Sequence, residues 1–185
     1  MTLLGNLLGR SKTSGLQLEG LPAASAVAAK LRSEFGLLPT GGGSVCFKVT
    51  GSPAELTRAE IIAATAGDRA THNLVSHELT GRTIVRCWRP GGALRLLLTD
   101  LVDVNQRLAE AGFGSALLHT TIDFTETGGR RGRKLVLVFL PGRGTFYPFM
   151  PTGRRSRDRD GELRVRGLLR RILPVEADVD RWLPV

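Results

Sequence analysis

Three histidines, two cysteines and scattered carboxylates are the residues from which this chain could build a reactive centre. His72 and His77 stand five apart on an expected strand, so they turn to opposite faces. No H-E-x-x-H and no C-x-x-C occurs, so the spacing of a zinc site is missing. The glycine-rich pieces LPTGGGS, GGRRGRK and PGRGT are not followed by the Gly-Lys-Ser/Thr that opens the helix of a phosphate loop. No G-x-S-x-G marks a nucleophile elbow. Asp100 and Asp103 fall on the most regular expected helix and read as solvated carboxylates. The residues therefore name no catalytic group, no metal ligand and no cofactor, and the expectation is a protein without enzyme activity.

Chemistry of contact is better represented. Phe146, Tyr147 and Phe149 crowd into four residues beside Arg143, in a chain with only ten aromatics, and are expected to meet a partner. Leu3, Leu4, Leu7 and Leu8 fall on one side of a short helix, with Arg10 and Lys12 after them. Such an arm suits weak attachment to an anionic membrane surface, a partner helix or its own domain. Basic residues cluster at Arg130, Arg131, Arg133 and Lys134, and again from Arg154 to Arg171. Phosphate contacts could use them, with affinity that falls steeply with salt. Asp158, Asp160 and Glu162 interrupt the second cluster, and no nucleic-acid motif is present. Nucleic acid is thus the alternative partner, and a small-ligand sensor with a deep apolar pocket beside the sheet is a third reading.

These residues need a scaffold. A chain of 185 residues with 42% hydrophobic and 23% charged residues is long enough for one globular core, and no apolar run reaches the roughly 20 residues of a membrane span. The net charge of +9 favours anionic partners. Cys46 and Cys87 sit in expected strands and are too few for a disulfide framework, which suggests a reducing, cytoplasmic setting. Residues 1–18 read as arm and linker, and 19–185 as a single domain. Within it, Pro22–Phe35 is an expected helix, LLPTGGG a loop, and Ser44–Val49 a strand. Ser52 caps a helix with Glu55 three residues on, as in a capping box. Two strands around Thr80-Gly81 form a hairpin, and Leu94–Ala111 is the strongest helix, with Asp103 and Arg107 paired across a turn. In Ala116–Thr125, Leu118, Ile122 and Phe124 point inward and His119, Thr121 and Asp123 outward. Leu135–Leu140, apolar on both faces, is a strand in the middle of the sheet. Thr152–Gly161 is an exposed loop, Glu162–Leu173 a basic helix, and Trp182 docks on the body. This order gives an α+β fold, a largely antiparallel sheet with helices mainly on one face, similar to type III secretion chaperone-like domains.

The pieces LLGRSK, GSVCFK, TDLVDVNQRLAEAGFGSALL, RGTFYPFMP and RWLPV, in this order, resemble the PspA-associated protein PspAB family of actinobacteria and some archaea. The likeness runs from Leu3 to Val185. It implies a non-enzymatic accessory or adaptor protein of a phage-shock-type envelope-stress response. The implied partners are a PspA-like coiled-coil protein, an HtpX-like membrane protease, or both, with a cytoplasmic location that could extend to the inner face of the membrane. The family supplies no catalytic residue or cofactor to carry over.

Overall fold

The computed structural model describes residues 15–67, 72–126, 132–153 and 156–185. The arm expected at residues 1–12, with Leu3, Leu4, Leu7, Leu8, Arg10 and Lys12, lies outside them. The described residues form six strands: β1 Leu37–Phe47, β2 His72–His77, β3 Thr83–Trp88, β4 Leu117–Glu126, β5 Lys134–Leu140 and β6 Thr145–Phe149. They also form four α-helices: α1 Ala28–Phe35, α2 Pro53–Ala64, α3 Leu94–Leu108 and α4 Arg159–Leu169. The strands build one sheet in the order β2-β3-β1-β4-β5-β6 with every neighbouring pair antiparallel, so the fold is α+β. None of the described helices is long and apolar enough to cross a membrane. The packed body takes in Leu16 and Leu18, and the Gln17 amide donates to the Pro141 carbonyl at 2.8 Å.

The glycine-rich stretch expected to be a loop is instead the middle of β1, one of the two central strands. Its glycines serve close approach of neighbouring backbones. Gly41 has φ +83°, and a Cβ there would stand 2.1 Å from the Arg89 carbonyl oxygen; at Gly43 a Cβ would stand 2.5 Å from the Thr121 carbonyl. A register shift between Pro39 and Gly43 marks the bulge that lets β1 bend against β4. The first expected helix also differs. It opens as a 3₁₀ segment, Leu18–Val27, and becomes α-helical only at Ala28. The α2 cap forms as the sequence predicts, with Ser52 and Glu55 exchanging side-chain and backbone hydrogen bonds.

Alternation along the strands divides the sheet into two unlike faces. One row reads Val75, Val85, Val45, Thr120, Phe139 and Phe146 across all six strands. From Val85 to Phe146 it is fully buried, in the one core that takes in apolar side chains of the Leu18–Val27 segment and of α1, α2, α3 and α4. Its polar member, Thr120, donates to Asn105 Oδ1 and accepts from Asn105 Nδ2 at 2.9 Å, so no polar group there goes unpaired. At the rim of this layer Arg89 and Asp100, both nearly inaccessible, form a bidentate pair. Asp100 is therefore not solvated, contrary to the sequence reading. Asp103 is where expected, bonded to Arg107 at 2.8 Å, and also accepts from the Gly67 amide.

The chain finishes by wrapping the β6 end of the sheet. Here β5, expected in the middle, is fifth of six, and the aromatic segment after it is the last strand. Phe146 pairs with Val175 of the tail, its amide donating to Pro174 and its carbonyl accepting from Glu176. Pro148 has no N–H to offer. The Met150 amide donates to Glu162, and its carbonyl accepts from Asp158. Helix α4 begins three residues before the expected start, because the Asp158 side chain caps it through the Gly161 amide. The tail then carries Trp182 onto the opposite face of the sheet, where it stacks on Tyr147 at 6.0 Å.

Candidate functional site

The aromatic segment is interior. Phe146 is 0%, Tyr147 1% and Phe149 7% exposed, so the expected partner surface is corrected to a structural corner. Its parts hold one another, with Arg157 Nη2 buried and without a hydrogen-bond partner. Phe146 packs on Phe139, the Tyr147 hydroxyl donates to the Leu183 carbonyl at 2.9 Å, and the Arg157 guanidinium lies over Phe149. Arg143 is half exposed but donates to the buried Glu176, which also accepts from Thr145 and from the Asp178 amide. Arg157, part of the stretch expected to be an exposed loop, is half-buried. It donates to the fully buried Glu162 at 2.8 Å and to the Trp182 carbonyl at 2.6 Å. The Tyr147–Leu183 and Thr145–Glu176 bonds tie the tail to β6, and Arg157 ties the start of α4 to the tail. Aromatic and arginine side chains crowded together signalled contact correctly, but the contact is within the chain.

Among the described residues no helix lies over the middle of the other face of the sheet. One residue along from the buried row runs a second row: Leu74, Arg86, Ser44, Thr121, Val138 and Tyr147. The tail covers its last two members, while Leu74 is 65% exposed. Trp88, on the same face of β3, is 49% exposed. Between the tail and the β2–β3 hairpin lies a concave cavity of about 460 Å³, walled on one side by Pro184 and Val185. Its floor is Ser44 and Cys46 of β1 with His119, Thr121 and Asp123 of β4; Ile84 and Val136 add apolar surface. His119, Thr121 and Asp123 do leave the helix side, as alternation predicts, yet they are half-buried or buried at the floor of the cavity. Leu118, expected to point inward, is exposed: a register shift at Cys46 and Phe47 frees that end of β4.

The electrostatics of this cavity are uneven. Ser44 and Thr121 share a hydrogen bond of 2.8 Å across β1 and β4. Burial, helped by the Arg82 charge and opposed by Glu78, lowers the His119 pKa to about 4, so the imidazole is neutral at pH 7. Burial raises the Asp123 pKa, against the pull of Arg86 and Lys134. It also pushes the Cys46 thiol up to about 11, so this sulfur is a wall and not a nucleophile. Arg82 reaches Glu78 only at 4.0 Å. Among the described residues neither Arg86 nor Lys134 has a carboxylate oxygen within 4.0 Å. Arg82 in the turn before β3, Arg86 of β3 and Lys134 of β5 thus border a partly desolvated floor. Among the described residues no group of three His, Cys, Asp or Glu side chains stands where it could hold a metal ion. The period-two pattern around His119 was the available signal for this floor. What it lacked was the return of Pro184–Val185 and the β2–β3 turn, which wall an outward row into a cavity.

No curated protein and no solved structure matches the chain. The family model for PspA associated protein B matches residues 1–185, every residue of the chain. With a full-length match, the chain belongs to the PspA associated protein B family.

Proposed function

We propose that this protein is a non-enzymatic adaptor of a phage-shock-type envelope-stress response, binding a PspA-like protein, a membrane protease, or both, by protein–protein contact. The whole-chain family match carries this reading. The geometry supports it in one respect: the helix-free face presents Leu74 and Trp88, a large leucine and a tryptophan substantially in water, beside the exposed Arg86. Exposed apolar side chains on one sheet face, with cations between them, suit a protein partner. Leu3, Leu4, Leu7 and Leu8, with Arg10 and Lys12, remain proposed as a second contact, to partner or anionic membrane at its inner face. Titrating the purified chain into a purified PspA-like protein and into the cytoplasmic domain of an HtpX-like protease tests the adaptor reading. Binding that Trp88→Ala and Leu74→Glu abolish supports this face. Binding that survives both but is lost on removing residues 1–12 assigns the contact to the arm. Absence of binding to either partner refutes the adaptor.

A second reading, a small-ligand sensor, is favoured by the 460 Å³ cavity, a volume within the range of about 300–1,000 Å³ of small-molecule sites.

A further inference from the structure

We infer that the cavity on the helix-free face binds an amphiphilic phosphate monoester, its anionic head among Arg82, Arg86 and Lys134 and its short apolar body against Ile84, Val136 and the Pro184–Val185 wall. The inference rests on the ligand-sensor reading above and adds the chemistry of the ligand to it.

Three observations converge. The first is the cations. Arg86 stands on β3 and Lys134 on β5, at opposite sides of the cavity, and both act on Asp123 between them without closing an ion pair on it. Arg82, at the hairpin end, is held by Glu78 no closer than 4.0 Å. Cations on a folded surface that lack close carboxylates keep their donors for an incoming oxyanion, and the arginine fork matches phosphate geometry. The second is the floor. The Ser44–Thr121 pair uses one hydroxyl hydrogen internally and leaves another to donate, and the neutral His119 offers a ring nitrogen in the same desolvated basin. The third is shape and lining. The cavity is concave and mixed, with Ile84, Val136, Pro184 and Val185 supplying apolar walls that a bare phosphate would leave uncovered. Two side-chain carboxylates, Glu78 and Asp123, share the lining with the three cations.

The experiment is a residue-resolved NMR titration of the full chain with hexyl phosphate, inorganic phosphate and the uncharged hexyl glucoside. The expected result is that hexyl phosphate shifts the amides of Ser44, Cys46, His119 and Thr121 saturably, and that inorganic phosphate binds more weakly. Arg86→Gln and Lys134→Gln should each weaken hexyl phosphate about tenfold, while Arg164→Gln, an exposed cation on α4, changes nothing. Raising the salt concentration should weaken binding in parallel. Equal binding of hexyl glucoside, unaffected by Arg86→Gln, overturns the phosphate assignment and leaves the sensor reading standing. No saturable shift from any of the three overturns both. A further arm, co-sedimentation with phosphatidylcholine vesicles with and without phosphatidic acid, identifies the source: Arg86-dependent recruitment only to the acidic vesicles points to a lipid headgroup, and solution binding without recruitment to a soluble ester.

Discussion

Val75–Phe146 and Leu74–Tyr147 are two rows of side chains on the same six strands, one residue out of step. The first is valine, threonine and phenylalanine, buried from Val85 to Phe146 in the core shared with the helices. The second runs from exposed leucine, through arginine, serine and threonine, to valine and tyrosine under the tail. The backbone hydrogen bonding is common to both, so the contrast comes from side-chain parity alone. The helix-covered row has the composition of a folding core. The helix-free row stores little burial energy over its middle and leaves polar groups available, as a recognition surface requires.

The contrast can be broken most forcefully on the covered row. Phe139→Ala removes a fully buried ring packed on Phe146 and should cost about 3–5 kcal/mol in urea unfolding; a loss below about 1 kcal/mol would mean the row is not the core. The next largest effect belongs to the open side and depends on pH. The folded pKa of His119 is lowered to about 4 against an ordinary 6.5, so the unfolded chain binds the proton more readily. Its contribution is present above pH 6.5 and is lost as the pH falls through 4, by up to about 3 kcal/mol. Unfolding curves between pH 7 and 4 should therefore flatten in His119→Gln relative to the parent; an unchanged pH slope would place the imidazole in water. Two adjacent threonines sharpen the comparison further. Thr120→Val strands the buried Asn105 amide oxygen and should cost about 1–3 kcal/mol, whereas Thr121→Val, facing the cavity, should cost about 1 kcal/mol or less. Smallest is Leu74→Glu, expected within about 0.5 kcal/mol of the parent in stability while partner binding falls.

Much of this was legible in the chain. The α2 capping box, the periodicity of α3, the hairpin at Thr80-Gly81 and the docking of Trp182 all follow from local chemistry that tertiary contacts did not override. What escaped depends on distant neighbours. The glycines of β1 look like a loop until Arg89 and Thr121 are seen to press against them. Asp100 looks solvated until Arg89 arrives from the end of β3. Phe146, Tyr147 and Phe149 look like a contact surface until the last ten residues close over two of them. The cavity was least legible. His119, Thr121 and Asp123 were placed on the correct side of β4, but only the meeting of four strands, the β2–β3 turn and the returning Pro184–Val185 makes a basin from that side.

The finish of β6 has a consequence for how copies of this protein can meet. With the Phe146 amide and carbonyl bonded to the tail, a proline at position 148 and the Met150 amide held by Glu162, that strand offers no ladder to a newcomer. Among the described residues the opposite edge, β2, has no such cover. A sheet that can be extended at one edge only has no second end from which to propagate. Edge-to-edge pairing would therefore stop at two molecules, back to back through β2, and a fibre would first have to peel the tail away.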